Sequence, residues 1–581
     1  MKRLNKVFIL LTVMALCACK PKPQAQTTGP GENPKNPRES SACPANPEFP
    51  GAVTKIPAAP DEKPVPGDWL VRRLPDEPPT LNPILVTDVP ATIVNYLIME
   101  TMLDMDLATG DLTPMLAESY EISPDKLEFT FHLRKDVKWH DGKPFNADDV
   151  IYSFQRTMDP KVDSASLRIY FVDCTEAKKI DDYTVRFRWK QPYFKALESL
   201  GQNLYLVPKH ILNDGTDFNK HPFGRKPVGT GPYKLVSWET GKRMELVKNK
   251  DYWGKPGNLD RIIFKMITDE NVALQVFNQG ELDTVGLTPT QWLKQTNNPQ
   301  FLQRATKLYY DYPQFMYIGW NLRRPPFDDR KVRTAMTLML DRDTILKNIF
   351  FCLGKVVSGP DDINSPYYDQ SIKPLPYDPE KAKKLLDEAG WADHNGDGIR
   401  DKDGKDFKFE LLIPAGSQDY EKIATIYKED LEKKAGIKME IRKLDWATFL
   451  KNIQEWSFDA SMLGWALDPN PDHYQLWHSS VADVKGSSNH VGYKNPGVDK
   501  LIEQARAEFD KQKRISIHHQ IHRILAEDQP YTFLFNHKEL AAMDKRFRNV
   551  IPYPIRPTFR FVEWFTPEPL QKFKEDQPKG K

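Results

Sequence analysis

Two stretches of strict two-residue alternation constrain this chain more than any other feature. Leu127, Phe129, Phe131 and Leu133 alternate with Glu128, Thr130, His132 and Arg134. Tyr183, Val185, Phe187 and Trp189 alternate with Thr184, Arg186, Arg188 and Lys190. Successive strand side chains point to opposite faces, so each stretch reads as a strand with one buried face. Between them, Asp141-Gly142 supplies a turn. Asn146 then caps a helix, with Asp149 at its third position and Val150, Ile151 and Phe154 facing inward. A chain that switches period in this way is mixed α/β (α+β), and it carries no sequence repeat.

The rest of the chain follows the same two periods. Asp68 to Leu74 reads as a first strand and Ala91 to Leu103 as a helix. Tyr233–Val236 and Met244–Val247 flank Glu239-Thr240-Gly241-Lys242, a hairpin signal. Ile262 to Ile267 is a strand, and Asn271 to Asn278 a helix stopped by Gly280. Val332, Ala335, Met336, Met339 and Leu340 form an apolar helix face behind an Asp328-Asp329 cap. Lys381 to Ala389 is a helix ending at Gly390. Lys438–Ile441 and Phe458–Leu463 read as strands. Leu501–Phe509 and Arg514–Asp528 read as exposed, charged helices. At 581 residues the chain is long enough for two or three domains. Its net charge of +2 points neither to nucleic acid nor to an acidic partner.

The N-terminus is of a different kind. Met1-Lys2-Arg3 is followed by an apolar run from Val7 to Leu16 and then Cys17-Ala18-Cys19. A charged start and a short apolar core mark a secretory signal. A short membrane anchor is the competing reading, but a span needs about 20 apolar residues and this run is shorter. Leu16-Cys17-Ala18-Cys19 resembles a bacterial lipoprotein lipobox. That resemblance implies a signal peptide of residues 1–18 and a lipid on Cys19, and hence work on the periplasmic or cell-surface side of a bacterial membrane. Cys17 is the poorer acceptor because bulky Leu16 precedes it. Lys20 in place of Asp leans towards an outer membrane in a two-membrane cell. From Lys20 to Pro66 the chain is rich in Pro, Asn, Lys and Gly and lacks an apolar period, so residues 19–66 read as a flexible spacer. With Cys43 in that spacer, Cys174 and Cys352 form either a bridge or two buried free thiols; their spacing supports no pairing.

Motifs of chemistry are few. There is no GxSxG, HExxH or Walker loop, which argues against an enzyme. Asp393-His394-Asn395-Gly396-Asp397 resembles a calcium loop, but Gly404 stands where a bidentate Glu is needed, and a solvated turn is the better reading. His518 and His522, four apart beside His519, have helical metal-ligand spacing but no local acidic or Cys partner, so they read as an exposed polar face. No metal or cofactor is expected.

Trp139-His140-Asp141-Gly142-Lys143-Pro144-Phe145-Asn146-Ala147-Asp148-Asp149-Val150 resembles the signature of bacterial extracellular solute-binding proteins of family 5, the peptide receptors of ABC importers. Thr80–Pro83, Leu112–Ala117, Gly229–Tyr233, Asp251–Trp253, Pro326–Arg333, Asn495–Asp499, Asp510–Arg514 and Pro530 match further family elements in order. The resemblance covers about Gly67 to Trp564. It implies a two-lobed periplasmic-binding-protein fold (type II, cluster C-like) with a hinge and an extra small domain. Lobe I would comprise 67–110, 225–311 and 530–565, the small domain 111–224 and lobe II 312–529, with a tail of 566–581. The hinge would lie near Tyr310–Asp311 and Asp528–Pro530.

The resemblance also implies a site. Gly464-Trp465-Ala466-Leu467-Asp468 resembles the family's GWxxD element, whose Asp pairs with the α-ammonium of a peptide. Asp468-Pro469 also reads as a helix cap followed by Pro. Trp465 would wall the pocket or pack in the core. Tyr317-Ile318-Gly319-Trp320-Asn321 resembles the strand opening lobe II, whose backbone could pair with an extended peptide at Tyr317 and Asn321, or could be an ordinary central strand. Leu411–Ser417 lacks the basic residue by which some dipeptide receptors hold a carboxylate. Longer peptides, nickel chelates, haem or sugars therefore stay open as ligands. The partners implied are a peptide and the permease subunits of an ABC importer, met by a monomer. A non-transport adhesin or chaperone on the same scaffold is the rival class.

Overall fold

The computed structural model describes Cys43, Phe49 and residues 51–573. The signal peptide expected at residues 1–18 and the lipid acceptor expected at Cys19 lie outside the described residues.

The two alternating stretches form the centre of a four-stranded antiparallel sheet. Glu128–Leu133 lies between Ala117–Ile122 and Thr184–Trp189, with Cys174–Asp181 outermost. Phe129, Phe131, Leu133, Val185, Phe187 and Trp189 are buried and pack with Val150 and Phe154 of the helix Ala147–Met158. Asn146 and Asp149 close a reciprocal capping box on that helix. Asp149 also accepts from Trp139 Nε1 at 3.1 Å, tying the loop before the helix to its first turn.

Two larger sheets flank this unit. One has eight strands, in the order Ala52–Val53, Ala305–Tyr310, Glu539–Asp544, Thr284–Gly286, Trp69–Leu74, Arg261–Met266, Arg243–Lys248 and Tyr233–Glu239. The other has five, in the order Lys438–Leu444, Lys408–Pro414, Ala460–Ala466, Gln314–Trp320 and Tyr531–Phe533. The chain passes from the first to the second between Tyr310 and Gln314. The return comes later than 528–530. Tyr531–Phe533 still pairs with Tyr317–Gly319, and only Glu539–Asp544 rejoins the eight-stranded sheet. Burial of Tyr531 and Phe533 against the five-stranded sheet holds the chain there. Lys538 Nζ sits 2.6 Å from Asp311 Oδ1, so an ion pair links the two passages.

Three sequence expectations are corrected. The spacer does not run to Pro66. Cys43 is disulfide-bonded to Cys352, and Cys174 is the free thiol. Phe49 stacks on Tyr309 at 3.9 Å, Ala52–Val53 pairs with Lys307–Leu308, and Glu62 pairs with Arg548 at 2.7 Å. A few anchors spaced along an aperiodic segment leave no pattern in sequence, yet they order it. The late helices are not wholly exposed either. Pro496–Ala507 and Lys511–Asp528 bury Val498, Ile502, Ile515, Ile521 and Leu525, and with them His518 and His522.

The 393–401 segment is a run of turns. Asp393, Asn395 and Asp397 accept hydrogen bonds from backbone N–H groups of Gly396, Gly398, Asp397 and Ile399. Beyond the sheets, Arg546 draws the C-terminal segment onto the eight-stranded sheet through a buried cluster with Asp68, Asp283 and Asp544. Phe573 stacks on Trp69 at 4.5 Å.

Candidate functional site

The strand Ala460–Ala466 carries buried residues until Leu463 and then opens into a cavity of about 280 Å³. Three parts of the fold supply its wall. Trp465 and Asp468 come from the end of this strand, Thr87 and Arg556 from the eight-stranded unit, and Tyr170 and Lys195 from the four-stranded unit. A concave space with a few converging polar groups is where a ligand site is expected.

Asp468 does two things. Its Oδ1 accepts from Asn470 N at 2.9 Å, an Asx turn and not the helix cap the sequence offered, since the next helix is Tyr474–Trp477. Its Oδ2 accepts from Lys195 Nζ at 2.7 Å, from across the cavity. Lys195 also donates to Asn470 O at 2.7 Å and lies 3.0 Å from Glu198 Oε1. Burial opposes the charge on Lys195, but Asp468 and Glu198 outweigh it and hold its pKa well above the ordinary value. Burial pushes Glu198 up to about 7 against the pull of Lys195. Arg556, from the eight-stranded unit, donates from Nε to Leu467 O at 3.3 Å, next to Asp468.

Trp465 both walls the cavity and packs. Its ring lies parallel to Tyr317 at 6.3 Å and to His490 at 5.7 Å, and Tyr317 stacks on Tyr531 at 3.9 Å. Trp465 Nε1 donates to Tyr531 OH at 3.2 Å, which fixes the indole plane. Burial, reinforced by the Arg323 cation, lowers His490 to about 4, so this face of the stack is neutral at pH 7.

Of the two readings of this strand, the structure has the ordinary central one. Gln314–Trp320 is paired on one edge with Ala460–Ala466 and on the other with Tyr531–Phe533. No edge is left for a peptide at Tyr317, whose ring is buried beneath Trp465. Asn321 is fully buried and donates to Phe458 O at 2.8 Å and Trp456 O at 3.2 Å, so it shapes the turn before the strand of Trp465. The structure therefore brings Asp468 and Trp465 together in the cavity and leaves Tyr317 and Asn321 behind it.

Beside the cavity the four-stranded unit grips the five-stranded one. Tyr193 OH donates to Asp472 Oδ2 at 2.6 Å, and Arg506 Nε donates to the same oxygen at 2.9 Å. The Arg506 guanidinium lies over the rings of Tyr193 and Tyr474 at 4.4 and 4.5 Å. Tyr170 OH donates to Gln475 at 3.0 Å. The eight-stranded unit adds Gln454 Nε2 to Thr87 Oγ1 at 3.2 Å.

The family model described as "Bacterial extracellular solute-binding proteins, family 5 Middle" matches residues 111–486. The oligopeptide-binding protein AppA of Bacillus subtilis is 34% identical over 512 residues, spanning 86% of this chain and 91% of the relative. The chain belongs to the family 5 solute-binding proteins. Its fold agrees. The structure of Bacillus subtilis AppA in complex with a nonapeptide matches with a TM-score of 0.81 at 31% identity, over 87% of this chain and 100% of that one. The periplasmic binding protein DppA of Helicobacter pylori, in complex with the peptide STSA, matches at 0.78 with 25% identity, over 86% and 98%. The chain is thus a two-lobed, mixed α/β solute-binding protein, and no helix among its described residues is long and apolar enough to cross a membrane.

Within this family 5 protein, sequence reasoning missed Lys195, Arg556, Tyr170 and His490. Lys195 is 273 residues from its partner Asp468. The loops bearing Lys195 and Arg556 have neither periodicity nor a motif, so no local signal could have found them.

Proposed function

We propose that this protein is the substrate-binding receptor of an ABC importer, and that it captures peptides in the cavity between its lobes. The observation that carries the reading is the charge layout of that cavity. Asp468 presents a part-exposed carboxylate to the cavity, and the Arg556 guanidinium lies beside it, held to Leu467 O at 3.3 Å; a peptide is a zwitterion whose ammonium and carboxylate match these two charges. Charge-assisted hydrogen bonds of this kind gain strength when closure excludes water. Asp468 takes the α-ammonium, and Lys195 steadies the carboxylate while the cavity is empty. Trp465, held rigid by its stack, gives a flat wall that accepts side chains of varied shape. Kinship with AppA, whose structure holds a nonapeptide, supports the peptide reading.

The contacts between Tyr193, Asp472 and Arg506 support a closed state whose population ligand raises, because ligand then touches both walls. The closed form docks on the permease, which carries the peptide onward; the receptor itself performs no chemistry. A lipid on Cys19 keeps it at the outer face of a membrane. Cys43, Phe49 and Ala52–Val53 dock on the body. The receptor acts as a monomer.

Native mass spectrometry of the chain without residues 1–19, purified without refolding, tests the proposal. Adduct masses that resolve into a ladder of peptides are the expected result. A single non-peptide mass replaces the substrate while keeping the receptor. No adduct, with no thermal shift from peptide mixtures, overturns transport in favour of an adhesin or chaperone role.

A further inference from the structure

At the edge of the cavity three side chains meet from distant parts of the chain. Asp361 follows the strand Gly354–Val356, His473 precedes the short helix Tyr474–Trp477, and His518 lies in the middle of Lys511–Asp528. All three are buried, and one donor atom from each lies within 4.8 Å of the other two. His473 Nε2 is 3.2 Å from Asp361 Oδ2, and His518 Nδ1 is 3.9 Å from the same oxygen. Among the described residues this is the one such group of three.

The neighbouring histidines of the same helix are accounted for. His522 Nε2 meets Ser358 Oγ at 3.0 Å, and its Nδ1 accepts from Asp369 N at 3.2 Å. His519 Nε2 reaches Pro366 O at 3.0 Å. His518 differs. Only 1% of it is exposed, yet its Nδ1 has no hydrogen-bond partner. A buried polar atom without a partner is costly, and its presence calls for a reason. The Tyr367 ring, edge-on to His518 at 4.9 Å, covers the imidazole and keeps it aimed at Asp361.

The geometry points to a binding site for one divalent transition-metal ion, held by Asp361 Oδ2, His473 Nε2 and His518 Nδ1. Donors around a tetrahedral ion with bonds of roughly 2.0–2.1 Å stand about 3.4 Å apart, close to the spacing of these atoms. Two imidazoles and a carboxylate suit zinc, nickel or cobalt, whereas calcium and magnesium take oxygen sets. Three protein ligands leave a fourth position. Asp361 and His473 both line the cavity, so that position is open to water or to a donor atom of a bound molecule. The sequence shows only the i, i+4 pair His518 and His522; the fold discards His522 and recruits Asp361 and His473.

The site stands independently of the peptide reading and is tested on peptide-free protein. After treatment with a chelator, the protein is titrated with zinc chloride by calorimetry and with cobalt(II) by visible absorption. Uptake of one ion per chain, a d–d band of tetrahedral intensity and a zinc-dependent rise in melting temperature are expected. His473→Gln, Asp361→Asn and His518→Phe each weaken zinc by roughly 100-fold and abolish the cobalt band, while His522→Gln keeps both. Should His518→Phe fail to fold cooperatively, His473→Gln at the cavity edge decides alone. No uptake by the parent protein, or equal uptake by the His473 and Asp361 variants, overturns the site and leaves a plain His–Asp–His hydrogen-bonded cluster.

Discussion

Lys195 Nζ lies 2.7 Å from Asp468 Oδ2, so an ammonium of the protein itself occupies the carboxylate that a peptide amine would seek. The pair joins the four-stranded unit to the loop that follows the strand Ala460–Ala466. Lys195 is almost wholly buried while a third of the Asp468 side chain stays exposed. Asp468 can therefore accept a second cation without releasing the first, since a carboxylate has about four acceptor sites.

Asp468→Asn should weaken a free-amine peptide by roughly 10- to 100-fold, the value of a charge-assisted hydrogen bond of about 1.5–3 kcal/mol. The same substitution should barely affect the N-acetylated peptide. Calorimetric titration of both peptides into both proteins measures this, and equal losses would remove the assigned role of Asp468.

Tyr193→Phe acts differently. It deletes the hydroxyl that donates to Asp472 Oδ2 at 2.6 Å and leaves the cavity wall unchanged. Closure loses about 1–2 kcal/mol, so every ligand binds roughly 5- to 30-fold more weakly, acetylated or not. Small-angle scattering should show a larger radius of gyration for the unliganded variant. A ligand-selective loss would contradict a role confined to closure.

Glu100 supplies a pH dependence. It accepts from Tyr252 OH at 2.5 Å and Trp253 Nε1 at 3.0 Å, yet burial dominates and raises its pKa from an ordinary 4.5 to about 7. The folded state therefore holds a proton that the unfolded state loses. Its contribution is complete below about pH 4.5 and drains away as pH rises to about 7. A gap of this size corresponds to roughly 3 kcal/mol. Glu100→Gln should flatten the stability curve between those limits. Urea denaturation across the range checks it, and an unchanged difference between variant and parent at every pH would refute it.

Cys352→Ser should release the segment ahead of Gly67. The bridge spans 309 residues of sequence, and its loss should cost about 2–5 kcal/mol. Limited proteolysis should then cut the segment before Gly67 while sparing the body. Cys174→Ser, which touches only the free thiol, should change neither readout.

Much of the architecture was legible along the chain. The alternation at Leu127–Arg134 and Tyr183–Lys190 and the Asn146–Asp149 capping box appear in the structure, because each depends on residues adjacent in sequence. Asp468 and Trp465 were legible as a motif at a strand end and do face the cavity. Which of the two readings of Tyr317 and Asn321 holds was not legible, because pairing on both edges of a strand is a property of the sheet.

What the sequence determined by itself is therefore the local layer: strand faces, helix starts, turns and the order of the family's motifs. These are set by steric and hydrophobic preferences a few residues long. The tertiary structure alone decided which distant groups meet. It joined Cys43 to Cys352, Lys195 to Asp468, Tyr193 and Arg506 to Asp472, and His518 to Asp361 and His473. Those meetings depend on how sheets pack across hundreds of residues, and a buried charge or imidazole finds its partner only once that packing exists.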